Sequence, residues 1–397
     1  MTMTSLIREK IFQAVGILNE FDVDCWLTFT RETAINGDPT LPFLVDGDLT
    51  WHSALIVTKS GTTCAIVGQY DKKAVEDLGV YTDVIGYVEG ITKPLQDWLR
   101  SLRPARIAVN YSRESEICDG LTHGMYLTLC GILAGIGMEA NLVQADSIIG
   151  ALRQRKSPAE LGRIQKAIGA TEEIFSEVAP FIRPGRTERE IAAFMKERAN
   201  ERKIPFAWDE KVCPAVFTGP DTAAAHYAPT DRKVEEGHIL NMDFGLKMEG
   251  YCSDLQRTFY VRRKGESAAP DDVLRGFETI VRAIAGAREA MRPGVNGQLI
   301  DAIARAIVTQ AGYDEFPHAL GHQVGRFAHD GTALLGPAWE KYGKKPFALL
   351  EEGMVFTLEP RLTIPGRGIA TVEEMVVVRS GGAEFLSTPQ LALILAG

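Results

Sequence analysis

Cysteine and histidine are both scarce in this chain of 397 residues, with six of the first and seven of the second. The six cysteines (Cys25, Cys64, Cys118, Cys130, Cys213 and Cys252) lie far apart, with no C-x-x-C pair and no framework spacing. A disulfide scaffold and a thiolate zinc site are therefore excluded, and the expectation is free, buried thiols in a reducing, cytoplasmic compartment. Runs of lysine and arginine are also missing, and the net charge is -9, so there is no basic stripe for a nucleic-acid groove or an anionic membrane surface. Long apolar runs are few. The most apolar stretch, residues 120–138, carries His123 and five glycines and is expected to be a buried helix, not a membrane span. The first twenty residues place charges where a signal peptide needs an apolar run and fit an amphipathic helix instead.

What remains is ordinary globular composition, 45% hydrophobic and 24% charged, which excludes disordered, collagenous and low-complexity classes. The length favours two domains. In residues 1–152, short β-branched runs at 53–58, 64–67 and 107–110 alternate with helical patterns at 72–78 and 92–102, the rhythm of an α/β domain. Ser157-Pro158-Ala159-Glu160 combines a Ser cap, a proline suited to the first helical position and a Glu able to reach back. Thr187-Glu188-Arg189-Glu190 repeats that signal. The first of these helices is expected to bury Leu161, Ile164, Ile168, Ile174, Phe175, Val178 and Phe181 on one face. Strands are expected at 212–217, 239–246 and 251–262, helices at 271–291 and 298–311, and strands again at 354–358 and 372–379. Blocks of this kind favour an α+β arrangement around a largely antiparallel sheet in residues 153–397.

Asp243 and Asp254 stand eleven residues apart in NMDFGLKMEGYCSDLQRTF. With Met248 and Glu249 at the tip of a hairpin, the two aspartates face each other directly, their Cβ atoms roughly 4.5 to 5.5 Å apart. Carboxylates that close repel unless a cation or a shared proton neutralises them; the alternative is a pair of solvated acids flanking a turn. The D-F-G at 243–245 is not a kinase signature here, because the catalytic loop, the glycine-rich loop and its lysine strand are absent, as is a phosphate-cradling P-loop.

Three of the seven histidines, His318, His322 and His329, fall within twelve residues, and Gly321 and Gly325 beside them would let backbone approach a bound group. Glu359 closes the apolar run 354–358, and Glu373 and Glu374 precede Met375-Val376-Val377-Val378. Strand alternation turns one of this last pair inward and the other outward. Two Asp, one glycine-flanked His and two strand Glu make an oxygen-rich set with one nitrogen, suited to a pair of hard divalent ions such as manganese.

The residues resemble the pita-bread metallopeptidase superfamily, which includes prolidase, aminopeptidase P, methionine aminopeptidase and the metal-free creatinase. Five motifs match in order: D-F-G with Asp243, Y-C-S-D with Asp254, G-H-Q-V-G with His322, L-E-P with Glu359 and V-E-E-M-V-V-V with Glu373. The resemblance implies an α+β pita-bread catalytic domain over 153–397 and a smaller creatinase-type α/β domain over 1–152. It also implies two divalent metal ions, manganese with zinc or cobalt as alternatives, bridged by Asp243 and Asp254, with His322 on one metal and Glu359 and Glu373 completing both shells. Glu359 would handle the proton of the attacking water, His226 would stabilise the leaving group or the oxyanion, and His329 would hydrogen-bond the substrate carbonyl. The implied partner is a proline-containing dipeptide or short peptide, and the implied assembly a homodimer.

The leading expectation is an Xaa-Pro dipeptidase. An Xaa-Pro aminopeptidase acting on longer peptides, a metal-dependent lyase-type enzyme and a non-catalytic peptide-binding module stand beside it. Two departures bear on the substrate. The family often shows H-E-x-P where this chain has His329-Asp330-Gly331-Thr332, and the basic residue often found two before the last Glu is Thr371 here, leaving Arg326 or Arg367 to anchor substrate. The stretch 362–365 is creatinase-like, yet every metal-ligand position is retained.

Overall fold

The computed structural model describes residues 3–220 and 227–397. It divides into two compact units, Met1–Arg153 and Gln154–Gly397. Chain order in the first is α1 (Met3–Glu20), β1 (Cys25–Thr30), β2 (Ser53–Thr58), β3 (Thr63–Gly68), α2 (Lys72–Asp77), β4 (Asp83–Tyr87), α3 (Thr92–Leu102), β5 (Ile107–Val109), α4 (His123–Ala134), β6 (Leu142–Gln144) and α5 (Asp146–Gln154). The six strands form one mixed sheet in the order β4-β3-β2-β1-β5-β6. Alternate residues of its central strands serve two cores. Trp26, Leu55, Val57, Ala65 and Val67 pack with Ile7, Ile17 and Leu18 of α1 and Ile148 and Ile149 of α5. Leu27, Phe29, Ile56 and Ile66 pack with Leu95 and Leu99 of α3 and Leu129 and Leu133 of α4. A sheet covered on both faces needs apolar residues at every position, which is why these strands read as continuous β-branched runs.

The apolar stretch at 120–138 forms a helix shorter and more one-sided than expected. Thr122 caps α4, Met125, Leu129, Ile132 and Leu133 are buried, and Leu127 is exposed. Among the described residues no helix is long and apolar enough to cross a membrane.

The second unit opens with α6 (Pro158–Val178) and α7 (Glu188–Glu201). Both begin with complete capping boxes, Ser157 with Glu160 and Thr187 with Glu190, each satisfying backbone donors at the helix start. Phe181 lies beyond the end of α6, half-buried and stacked on Phe194 at 4.7 Å between ring centroids. There follow β7 (Ala215–Thr218), β8 (Ile239–Phe244), β9 (Lys247–Met248), β10 (Tyr251–Cys252), β11 (Leu255–Val261), α8 (Asp271–Ala290) and α9 (Gly297–Gln310). The remaining strands are β12 (Gly321–His322), β13 (Leu334–Leu335), β14 (Val355–Leu358), β15 (Arg361–Ile364), β16 (Gly368–Thr371), β17 (Glu374–Arg379), β18 (Gly382–Phe385) and β19 (Ile394–Ala396).

The sheets of this unit are β19-β11-β8-β7 and β14-β17-β18, with hairpins β9-β10, β12-β13 and β15-β16. All pairings are antiparallel except β11 with β19. Helices α8 and α9 bury Phe277, Ile280, Ile284, Ile300, Ala304 and Val308 against Phe356, Leu358, Val376 and Val378. Helices on a largely antiparallel sheet make this unit α+β.

Candidate metal centre and active site

Strand ends position the candidate site. Asp243 lies within β8, Asp254 immediately precedes β11, His322 ends β12, Glu359 follows β14 and Glu373 immediately precedes β17. Bridges stitch these ends together: Gln256 to Glu373, and Gln323 to Phe356. The backbone N–H of Glu359 donates to the Leu320 carbonyl at 2.8 Å. Segments more than a hundred residues apart in sequence thereby share one small volume. All five residues line a cavity of about 280 Å³, together with Trp208, Gln256, His329 and others.

The hairpin bearing the two aspartates differs from expectation in register. Its turn is Glu249-Gly250, both with positive φ (49° and 82°), and Met248 pairs with Tyr251. A two-residue turn with both φ positive matches the twist of the flanking strands and favours Gly at its second position, which Gly250 supplies. Asp243 consequently faces Gln256, not Asp254. The shift is by two residues, an even number, so Asp254 becomes a diagonal neighbour without changing side. Lys166 and Arg163 of α6 hold the turn, at 2.5 and 3.5 Å from the Glu249 carboxylate.

The imidazole of His322 meets the carboxylates. Its Nε2 lies 3.4 Å from Glu359 Oε1, 3.7 Å from Asp254 Oδ2 and 4.0 Å from Glu373 Oε1. Asp254, His322 and Glu373 each offer one ligand atom, all within 4.8 Å of one another. Thr357 accepts from the His322 backbone N–H at 3.1 Å and donates to Glu359 at 3.4 Å. Gln256 donates to the other oxygen of Glu359 at 3.4 Å and accepts from Thr371 at 3.2 Å.

Gly321 and Gly325 approach the protein itself, not a bound group. A Cβ on Gly321 would stand 1.9 Å from the Thr357 carbonyl, and one on Gly325 would stand 2.3 Å from Asp330 Oδ2. Glycine at 321 is what lets β12 close on β14. Asp330, in place of the acid of H-E-x-P, accepts from the Arg326 backbone N–H at 2.5 Å.

Four carboxyl groups in one buried space are electrostatically unstable as bare anions. Burial pushes Asp243 up to about 7, and burial with the charge of Asp243 pushes Glu359 up to about 8, against donors from Thr357 and Gln256. Burial, then the neighbouring carboxylates, raise Asp254 and Glu373 well above the usual carboxylate range. Asp243 Oδ1 and Glu373 Oε2 are buried and accept no hydrogen bond. Among the described residues lining the cavity there is no lysine or arginine. Buried, partnerless carboxylate oxygens beside one imidazole fit hard divalent cations, which would supply the missing positive charge.

Glu374 points away from this cavity but not into water. It is buried, with Arg257 at 3.2 Å, Ser387 at 2.5 Å and the Gln390 backbone N–H at 2.7 Å. Alternation holds for the pair 373/374, but the second face is covered as well.

A second cavity of about 360 Å³ shares His322, His329, Glu359 and Gln256 with the first and adds apolar walls from Phe217, Pro317, Leu334 and Ile369. His318, Tyr342 and Arg361 also line it, and none of these three has a place in the motif-based set. The His318 ring is neutral, because burial, chiefly, drops it to about 4. Its Nδ1 lies 2.8 Å from the Ala319 carbonyl, which only accepts, so that nitrogen carries the proton and Nε2 is an acceptor. Neither Arg326 nor Arg367 lines either cavity. Arg367 is held by Asp272 at 2.9 Å, and Arg326 lies 5.2 Å from the Tyr251 ring centroid. The ring of His329 packs edge-on to His322 at 4.2 Å. His226 lies outside the described residues.

The sequence profile of metallopeptidase family M24 matches residues 162–380, over half of the chain. The chain belongs to metallopeptidase family M24. A relative from Mycobacterium tuberculosis, named "Probable dipeptidase PepE", is 34% identical over 244 residues, 61% of this chain and 60% of its own length. The match thus spans less than two thirds of that relative. The Xaa-Pro dipeptidase of Pyrococcus furiosus is 31% identical over 255 residues, 63% of this chain and 67% of its own. Among solved structures, the X-Pro aminopeptidase from Thermotoga maritima superimposes with a TM-score of 0.74 over 96% of this chain and 100% of its own, at 23% identity, a likeness of fold. The M24 chain has the α+β pita-bread fold, with a smaller α/β unit at its N-terminal end.

Proposed function

We propose that this M24 protein is a dinuclear-metal Xaa-Pro dipeptidase, hydrolysing the peptide bond that precedes proline. The observation that carries the reading is the gathering of Asp243, Asp254, His322, Glu359 and Glu373 around one cavity that adjoins an apolar-walled second one. Those five side chains would hold the two ions, and the dominance of oxygen ligands favours manganese over zinc or cobalt. When bound, the ions bring water to a reactive protonation state near neutrality and polarise the scissile carbonyl.

The remaining work falls to side chains. Glu359, held by Thr357 and Gln256, takes the proton of the attacking water and passes it to the departing proline nitrogen. His329, on the wall shared by both cavities, donates to the carbonyl oxygen as negative charge develops on it. For His226, in Ala225-His226-Tyr227, the proposed role, stabilising the oxyanion or the leaving group, rests on the sequence resemblance alone. Phe217, Pro317, Leu334 and Ile369 offer an apolar wall for the pyrrolidine ring. The division at residues 152 and 153 into a creatinase-type domain and a catalytic domain belongs to the same proposal, as do a homodimer and a cytoplasmic location. The six free cysteines agree with the latter.

Purified protein supplied with manganese is tested on Xaa-Pro dipeptides and on Xaa-Pro-Yaa tripeptides. Faster cleavage of the dipeptides supports the proposal, faster cleavage of the tripeptides makes the enzyme an aminopeptidase, and cleavage of neither removes the Xaa-Pro reading.

A further inference from the structure

Arg361 stands apart from the other cations near the site. Of the described residues lining the two cavities it is the only lysine or arginine. It is half-buried, and no hydrogen bond or ion pair engages its guanidinium among the described residues. The nearby Arg367 is neutralised by Asp272 and Arg305 by Asp301. Its stem is half-buried while its nitrogens stay open to the cavity, and the planar fork of donors matches a carboxylate in a two-bond arrangement.

Its place in the fold states what that carboxylate belongs to. Arg361 opens β15, two residues after Glu359, a backbone span of at most about 7 Å. Across the hairpin it pairs with Thr371, so the position that lacks a basic residue on β16 has one directly opposite on β15. The apolar wall of Phe217, Pro317, Leu334 and Ile369 belongs to the same cavity. With the four carboxylates neutralised by the ions they would hold, Arg361 is the cation left on the cavity wall, and its attraction for a substrate's own carboxylate orients the peptide along the cavity.

We propose that Arg361 receives the free α-carboxylate of the residue that follows the scissile bond, so that the site selects substrates with one residue beyond the cut. This rests on the Xaa-Pro reading of the same site and adds the feature that makes it a dipeptidase.

The test compares an Xaa-Pro dipeptide with the corresponding Xaa-Pro amide, whose C-terminal carboxylate is replaced by a neutral carboxamide. For manganese-loaded wild-type protein the ratio of kcat/KM values favours the dipeptide, and in R361Q that ratio falls by about 10- to 100-fold, mostly through KM, the loss expected for one charge-assisted pair. R361K, which keeps the charge without the fork, retains part of the preference, and equal melting temperatures for the three proteins show that folding is intact. Calorimetry with N-acetylproline and N-acetylprolinamide reads the same preference without turnover. The carboxylate binds wild-type protein more tightly than the amide, and R361Q removes the difference. A carboxylate preference that survives in R361Q, or none in wild type, overturns the assignment. Should wild type cleave neither peptide, the Xaa-Pro reading fails by itself, and the calorimetric comparison still judges Arg361.

Discussion

Asp254 carries the sharpest conflict between stability and function at the level of single residues. It is buried among three other carboxyl groups, and its own pKa is raised first by burial and then by Asp243 and Glu359. Replacing it with Asn removes one of those charges at nearly constant shape. Metal-free Asp254→Asn is therefore expected to be more stable than metal-free wild type by about 1 to 2 kcal/mol at pH 8, while losing metal binding and hydrolysis. Denaturant unfolding of the two proteins checks this, and equal or lower stability of the variant contradicts it. The gathering of acids around His322 was legible through the five motifs of the resemblance, while the residues by themselves marked only the aspartate pair of the hairpin and the glutamates set in apolar runs, Glu359 and Glu373 with Glu374. Arg361 was not legible, since an arginine after L-E-P carries no signal until its lack of partners is seen. The glycines at 321 and 325 were legible as special positions but not in purpose. Only the structure brings the Thr357 carbonyl and the Asp330 carboxylate against them.

The hairpin β8 to β11 is the element on which the site depends most, since it sets two of the four acids. Its turn needs positive φ at both Glu249 and Gly250. An L-residue with a side chain at the second position is strained there by about 1 to 2 kcal/mol, and a Cβ at Gly250 would also stand 2.9 Å from Arg326 Nη2. Gly250→Ala is expected to lower stability by about that amount and to weaken metal binding through the displaced aspartates; thermal melts with and without manganese measure both. A variant as stable as wild type would show that the register is held elsewhere, by the α6 contacts of Lys166 and Arg163. Strand and helix positions here were readable from apolar periodicity and capping boxes. The register was not, because alternation fixes a side but not an offset, and shifting the tip by one residue moved the pairing by two. The short strands β12, β13, β15, β16, β18 and β19 escaped for a related reason, being too brief to show a period.

Titration of the buried acids governs how the whole molecule responds to pH. Asp243 and Glu359 are raised to about 7 and about 8, against roughly 4 in an unfolded chain. Below about pH 4 both states are protonated and these groups leave stability unaffected. As pH rises from about 4 through 8 the folded state holds protons that the unfolded state has released, so the metal-free protein is progressively destabilised relative to its stability at pH 4. The advantage of Asp254→Asn over wild type is accordingly expected to be largest at pH 8 and to vanish near pH 4. Added manganese is expected to stabilise wild type more at pH 8 than at pH 5, because the ions displace those protons. Melting temperatures across that range decide the matter; a metal effect that shrinks with rising pH would contradict it. At this scale, composition made the class of the chain legible: a net charge of -9 with no basic run, and acids concentrated where apolar strands end.

The central claim is that Asp243, Asp254, His322, Glu359 and Glu373 together capture a pair of cations. Equilibrium dialysis against manganese at pH 8, followed by elemental analysis of wild type and His322→Ala, tests it most directly. About two ions per chain in wild type, falling to about one or fewer in the variant, is the predicted result. No bound manganese in wild type, or equal loading of the two proteins, would contradict it.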